Sequence, residues 1–199
     1  MATRLFLVRH AVHARLDHIL VGRAPGVPLS DIGREQARCV AEHLVREGVT
    51  AVQSSPRERA RETAEIIADR VGVAVQIVPE IDEVDVGEWT GRPFAELDAD
   101  SRWQRWNNVR DSACSPGGES MAEVERRVMD HLERLSSLDS TERIVLVSHA
   151  EVIRTAVLRC LGLPFRAFHR IEIGPATIST FVLGALGPEV LAFNQAVCE

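Results

Sequence analysis

Leu5-Phe6-Leu7-Val8-Arg9-His10-Ala11 and Ile144-Val145-Leu146-Val147-Ser148-His149-Ala150 are built alike: four apolar residues, a polar one, a histidine and an alanine. Short runs of branched apolar residues without polar alternation read as strands buried on both faces, the kind found inside a parallel sheet covered by helices. Such sheets bind ligands outside the carboxyl ends of their central strands. Two of these strands side by side would bring His10 and His149 together at that edge, among Arg9 and the amides of the following turns. That is the layout of an anion pocket around an imidazole nucleophile.

The rest of the chain alternates strand and helix signals. A loop rich in His, Gly and Pro (residues 11–30) leads into a helix introduced by Ser30-Asp31-Ile32-Gly33, carrying Ala37, Val40, Ala41, Leu44 and Val45 at helical spacing and stopped by Gly48. A strand follows over Thr50–Gln53, and Ser54-Ser55-Pro56 is expected to cap a helix to about Arg70, with Ala60, Thr63, Ala64 and Ile67 inward. The next strand is Val75–Val78, and the two β-α-β steps imply parallel pairing. Residues 80–118 hold all three tryptophans, Trp89, Trp103 and Trp106, and read as an irregular cap. Glu119–Leu138 is an amphipathic helix with Val124, Val128, Leu132 and Leu135 inward; a helix over Glu151–Leu161 follows the second histidine strand. Strands are expected at Ile171–Ile173, Ile178–Leu183 and Val190–Phe193. Residues 1–199 therefore read as one α/β domain, with 80–118 as a cap and acid-loop insertion.

Composition narrows the function. A chain of 199 residues can bury roughly 70% of its unfolded surface in one core, and 45% hydrophobic with 26% charged residues is ordinary globular composition. No apolar stretch approaches the ~20 residues of a membrane span, and the start of the chain enters a strand without a secretory signal, so a cytoplasmic protein without membrane contact is expected. Cys39, Cys114, Cys160 and Cys198 form no C-x-x-C pair, and most of them read as small core or surface residues. A net charge of -6 disfavours nucleic acid as a partner. Any phosphate site must be a local basic pocket in an acidic protein.

A neutral imidazole can accept a phosphoryl group as a covalent intermediate that water then hydrolyses. The transferring group spreads charge over three equatorial oxygens, which arginine forks and N–H donors are suited to hold. One charge pair at ~4 Å is worth about 4 kcal/mol at an effective dielectric near 20. The leaving oxygen needs a proton, and a carboxylic acid of raised pKa supplies one.

Six motifs in order give the chain a resemblance to the histidine phosphatase superfamily, in the branch that includes cofactor-dependent phosphoglycerate mutases and related phosphatases. They are Arg9-His10-Ala11 for Arg-His-Gly; Pro28-Leu29-Ser30 through Gly33 and Gln36-Ala37; and Ser54-Ser55 with Arg59-Ala60 and Thr63-Ala64. Glu83, Gly87, Trp89 and Gly91, then Pro116-Gly117-Gly118-Glu119-Ser120, and finally Val147-Ser148-His149-Ala150 complete the set. The resemblance implies a three-layer α/β/α sandwich with a mostly parallel central sheet, phosphoglycerate mutase-like. It makes His10 the phosphorylated residue, Arg9, Arg59 and His149 the phosphate clamp, and Glu83 the proton donor. Gly22 and Arg23 occupy the region where the family offers a backbone amide to the ligand, and Ala150 and His13 are read as further binding residues. No metal and no cofactor is expected.

Where the family has Arg-His-Gly-Glu-Thr and a following Asn, this chain has Val12, His13 and Leu16. His13 can replace a lost donor; Leu16 cannot. Without the resemblance, Arg59 would be one of three arginines on a solvated helix face, and Glu83 one carboxylate among Glu80, Asp82, Asp85 and Glu88. The expected activity is hydrolysis of a small phosphorylated metabolite through phosphohistidine. The alternatives are a cofactor-dependent phosphoglycerate mutase and a non-catalytic phospholigand-binding module of the same fold. Sugar phosphates, phosphoglycerates, nucleotide-pathway monophosphates and a cobalamin-precursor phosphate are the candidate substrates. Oligomeric state is left open, with relatives commonly pairing as homodimers through a sheet edge.

Overall fold

The two histidine strands, β1 (Thr3–Arg9) and β4 (Arg143–Ser148), lie side by side and parallel, with Leu7 opposite Leu146 and Arg9 opposite Ser148. They form the centre of a six-stranded sheet in the computed structural model, which describes residues 2–137, 142–184 and 187–197. Leu138, the expected end of the long helix, and Cys198 lie outside those residues. The strand order is β3 (Val75–Ile77), β2 (Ala51–Ser54), β4, β1, β5 (Ile178–Gly184) and β6 (Gly187–Gln195). The first four are parallel, β5 runs antiparallel to β1, and β6 antiparallel to β5.

Alternate residues of the central strands enter two separate cores, and this is why their sequence is apolar without alternation. Phe6, Val8, Val145 and Val147 pack under α1 (Asp31–Arg46) and α2 (Glu58–Val71). Leu5, Leu7, Ile144 and Leu146 pack under α5 (Met121–Ser136) and α6 (Ala150–Cys160). Full burial of one such side chain is worth roughly 1.5–3 kcal/mol, so a polar residue at any of these positions would be costly. The result is the three-layer sandwich, sheet in the middle.

Helix signals translate into contacts. Ser30 caps α1 by accepting the Gly33 N–H, and Ala37, Val40, Ala41 and Leu44 are buried along one stripe. In α5, Ser120 and Glu123 form a reciprocal capping box, so the helix begins after Glu119, whose carboxylate is used elsewhere. Val124, Val128, Leu132 and Leu135 face the core as expected. Between β3 and α5 the chain makes 3-10 turns at Pro79–Ile81 and Gly87–Trp89, then α3 (Phe94–Leu97) and α4 (Ser101–Asn108). Trp89, Trp103 and Trp106 form one aromatic cluster, with Trp103 and Trp106 stacked at 5.3 Å between centroids.

Three expectations need correction. Ile171–Ile173 is not a strand: both edges of β1 are already taken by β4 and β5, so this segment buries Ile171 and Ile173 without joining the sheet. Ser54 and Ser55 do not cap α2, whose first residue follows Arg57 with no side-chain cap. Cys39 is disulfide-bonded, whereas Cys114 and Cys160 are free. Among the described residues no helix is long and apolar enough to cross a membrane.

Candidate active site

Parallel pairing ends β1 and β4 at the same edge, where the His10 N–H donates to the Ser148 carbonyl at 2.9 Å. The His10 and His149 rings stand 5.2 Å apart between centroids. Both are buried. Between them lies Arg59, in the first turn of α2 and only 2% exposed. Its Nε donates to His10 Nε2 at 3.2 Å, and its Nη2 reaches His149 Nδ1 at 3.2 Å, the Gly22 carbonyl at 3.0 Å and Glu83 Oε2 at 3.3 Å. Arg9 closes another side, its Nη1 held by the Ile173 carbonyl at 2.7 Å and its Nε buried without a partner. The cup, about 150 Å³, is lined by Arg9, His10, Arg59 and Glu83 with His13, Gly22 and Ala150, while His149 is fully buried and reaches it only through its contact with Arg59.

Hydrogen bonds fix the proton positions. His10 Nδ1 lies 2.9 Å from the carbonyl of Ala11, which can only accept, so Nδ1 carries the proton and Nε2 presents its lone pair to Arg59. Burial, then the Arg59 and Arg9 guanidiniums, hold the His10 pKa well below its ordinary value. The same causes, burial first, lower His149. Glu83 moves the other way: burial raises its pKa in spite of Arg59 and Arg9. Burial thus biases the His10 imidazole toward its neutral form and the Glu83 carboxyl toward its protonated form, the directions that nucleophilic attack and proton donation require.

The motif residues that do not touch the cup hold those that do. The Val12 carbonyl accepts from the N–H and the hydroxyl of Ser30, and Gln36 Oε1 accepts the Val12 N–H. Gly33 passes so close that a Cβ there would meet the Val12 carbonyl oxygen at 2.0 Å. Thr63 Oγ1 accepts the Ala11 N–H at 3.1 Å and donates to the Arg59 carbonyl at 2.8 Å, tying nucleophile loop to clamp helix. On the acid loop, Gly87 at φ +52 runs against the Pro116 carbonyl, where a Cβ would sit 2.0 Å away. α6 starts at the cup with His149 as N-cap and no side-chain cap, leaving first-turn N–H groups toward an anion.

The remaining expected contacts divide. His13 is buried beside His10, 5.4 Å between rings, and its Nδ1 accepts the Arg15 N–H at 3.3 Å, which makes Nε2–H a donor in place of the absent Thr and Asn. Burial, then Arg59 and Arg9, bring its pKa down to about 4, so it stays neutral. Gly22 supports the clamp through its carbonyl. The Arg23 side chain is turned elsewhere: it donates to the Glu83 carbonyl at 2.8 Å and to Glu119 at 2.8 Å, and does not line the cup. Its guanidinium positions the loop that carries Glu83, with Arg127 on the same carbonyl at 3.2 Å.

Two residues of the site escaped the sequence reading. Ser55 Oγ donates to Asp82 Oδ1 at 3.0 Å and so accepts from His149 Nε2 at 2.7 Å, fixing the second imidazole. Asp82, 5% exposed, also accepts from Arg57 Nε and the Glu83 N–H. In the sequence Ser55 reads as a helix cap and Asp82 as one carboxylate of the acidic run around Glu83. The change Asp82→Asn is expected to weaken both orientations, lowering stability by about 1.5–3 kcal/mol as for loss of bonds to a charged group. Urea unfolding alongside kcat measures it; unchanged values in both would sink the relay. Among the described residues no group of three or more His, Cys, Asp or Glu could hold a metal ion.

The model of the histidine phosphatase superfamily (branch 1) matches residues 5–196. The adenosylcobalamin/alpha-ribazole phosphatase of Escherichia coli K12 is 32% identical over 176 residues, 85% of each chain. A probable phosphoglycerate mutase GpmB of Yersinia pestis is 32% identical over 178 residues, 88% of this chain and 83% of the other. Among solved structures, a phosphoserine phosphatase of Entamoeba histolytica in complex with phosphoserine superposes with a TM-score of 0.87 at 27% identity, covering 98% of both chains. With a family match over nearly its whole length and relatives above 30% identity along most of it, the chain belongs to the histidine phosphatase superfamily, branch 1.

Proposed function

We propose that the protein is a phosphoric monoester hydrolase acting on a small phosphorylated metabolite through a phosphohistidine at His10. The observation that carries this reading is the tautomer of His10: Nδ1–H is tied to the Ala11 carbonyl and the Nε2 lone pair faces the arginine cup. Nε2 attacks phosphorus while Arg9, Arg59 and the His13 donor hold the equatorial oxygens, with His149 seating the Arg59 guanidinium through Nδ1. The ester P–O bond breaks and Glu83 gives its proton to the leaving oxygen. Glu83, now a carboxylate, takes a proton from a water that attacks the phosphohistidine; the P–N bond breaks, inorganic phosphate departs, and both residues return to their starting states. Arginines supply the positive charge, so the reaction needs no metal or cofactor and survives a chelator. The cytoplasm is the proposed compartment.

The mutase reading has the relatives named probable phosphoglycerate mutase GpmB in its favour. Against it, mutases of this group tend to be longer, with tyrosine and lysine contacts to substrate, whereas this chain has no tyrosine and its 23 basic residues are all arginine. Incubation with 3-phosphoglycerate, with and without a bisphosphoglycerate primer, separates the two. Phosphate release without primer is expected; a primer-dependent 2-phosphoglycerate product would reverse the assignment. A panel of phosphorylated metabolites, including alpha-ribazole phosphate and phosphoserine, then ranks substrates by kcat/KM.

A further inference from the structure

The turn Pro116-Gly117-Gly118-Glu119 lines no part of the cup, yet it is zipped to the acid loop. The Pro116 carbonyl accepts the Glu88 N–H at 2.9 Å, and the Asp85 carbonyl accepts the Glu119 N–H at 2.8 Å. At Gly118 an added Cβ would stand 2.1 Å from the Asp85 carbonyl oxygen, so only glycine allows this approach. The turn delivers Glu119 to the position just before the Ser120 cap of α5, where its carboxylate accepts the Asp85 N–H at 3.0 Å.

Glu119 also gathers two guanidiniums. Arg127, on α5, meets it as a fork, Nε to Oε1 at 3.0 Å and Nη2 to Oε2 at 3.1 Å, and Arg23 donates Nη2 to Oε2 at 2.8 Å. A planar fork on a carboxylate fixes the orientation of the whole guanidinium. The remaining N–H groups of both are thereby aimed, and they meet main-chain carbonyls of the acid loop. Arg23 Nε donates to the Glu83 carbonyl at 2.8 Å, Arg127 Nη2 to the same oxygen at 3.2 Å, and Arg127 Nη1 to the Glu80 carbonyl at 2.7 Å.

The Glu83 carboxyl needs such help. Its Oε1 accepts the N–H of its own neighbour Val84 at 2.9 Å, which fixes nothing relative to His10, and its Oε2 accepts from Arg59, a clamp that the phosphoryl group also draws on. Its place must come from the main chain. Asp82 fixes the peptide that enters Glu83 by accepting its N–H at 2.8 Å, and the two guanidiniums fix the peptide that leaves it. We propose that Arg127 and Glu119 are positioning residues for proton transfer, setting the Glu83 carboxyl at the leaving oxygen from outside the cup, which neither of them lines. The proposal rests on the phosphatase reading above and deepens it.

The test compares phenyl phosphate with p-nitrophenyl phosphate in the native chain and in Arg127→Met. Both esters carry one ring, but phenolate is the poorer leaving group and depends more on the acid. Because kcat/KM ends at the first irreversible step, it reads phosphorylation of His10. Arg127→Met is expected to lose about 10- to 100-fold in kcat/KM on phenyl phosphate, the scale of a misplaced general acid, and far less on p-nitrophenyl phosphate. Arg127→Lys keeps the charge beside Glu119 but cannot span both carbonyls; it falls between and serves if the first variant does not fold. Glu119→Gln, which releases both guanidiniums, is expected to shift the ratio of the two esters in the same direction. Equal losses on both esters, or none, overturn the positioning role, while hydrolysis of p-nitrophenyl phosphate leaves the phosphatase reading standing. If the native chain hydrolyses neither ester, the phosphatase reading fails and amide hydrogen exchange decides the clasp. Exchange at Glu83, Val84 and Asp85 about tenfold faster or more in Arg127→Met, with α1 unchanged, upholds it as a local opening; exchange raised evenly, or not at all, overturns it.

Discussion

His10→Ala is expected to reduce hydrolysis of p-nitrophenyl phosphate by about 10⁴-fold or more, the scale seen when a covalent nucleophile is removed from a catalytic group acting as a unit. No neighbour can take over. His149 Nε2 is committed to Ser55 and its Nδ1 to Arg59, and His13 presents an N–H rather than a lone pair to the cup. The fold should survive, because only two side-chain bonds are lost, one to the Ala11 carbonyl and one from Arg59 Nε, each worth roughly 1 kcal/mol. Labelled phosphate trapped after an alkaline quench, present on the native chain and missing from the variant, locates the intermediate. Full activity in a folded variant would refute the nucleophile assignment. A native chain that never labels would favour the non-catalytic binding module instead.

The legibility of this site follows from which contacts are local. The strands carrying His10 and His149 could be read because burial on both faces leaves no polar alternation. Their pairing followed from the sandwich, and Ser30 and the Ser120–Glu123 box announced their helices through contacts within three residues. Long-range partners were silent. Nothing near Asp82 in the chain points to Ser55, Arg57 or His149, and the acidic run around Glu83 sorts itself only in space. Glu80 pairs with Arg134, Glu88 with Arg102, Asp82 with Arg57 and Asp85 with Arg23, which leaves Glu83 as the carboxyl facing the cup. Arg59 separates from Arg57 and Arg61 in the same way: Arg61 stays half exposed beside Glu65, and Arg59 is swallowed by the site. Ile171–Ile173 misled for the converse reason, since its alternation is real but both edges of β1 are already taken by β4 and β5.

Glu83→Gln should separate proton donation from attack. For an alkyl phosphate, whose leaving oxygen cannot depart unprotonated, the loss in kcat is expected at about 10²- to 10⁴-fold, the usual contribution of a positioned general acid. For p-nitrophenyl phosphate, whose phenolate departs readily, attack by His10 carries the step and the loss should be far smaller. The pH profile supplies the sign. His10 must be neutral, and its lowered pKa places the acid limb of kcat/KM below the ordinary histidine range; Glu83 must be protonated, and its raised pKa places the alkaline limb above the ordinary carboxylate range. Activity on alkyl esters should therefore fall as pH rises through the raised Glu83 pKa and persist on the acid side below the ordinary histidine range. In Glu83→Gln the alkaline fall assigned to this group should vanish while the acid limb stays, because His10 keeps its burial and both arginines. A variant that loses equal activity on both esters, or keeps the native alkaline limb, would move the proton donor to another residue and leave Glu83 with the task of orienting Arg59.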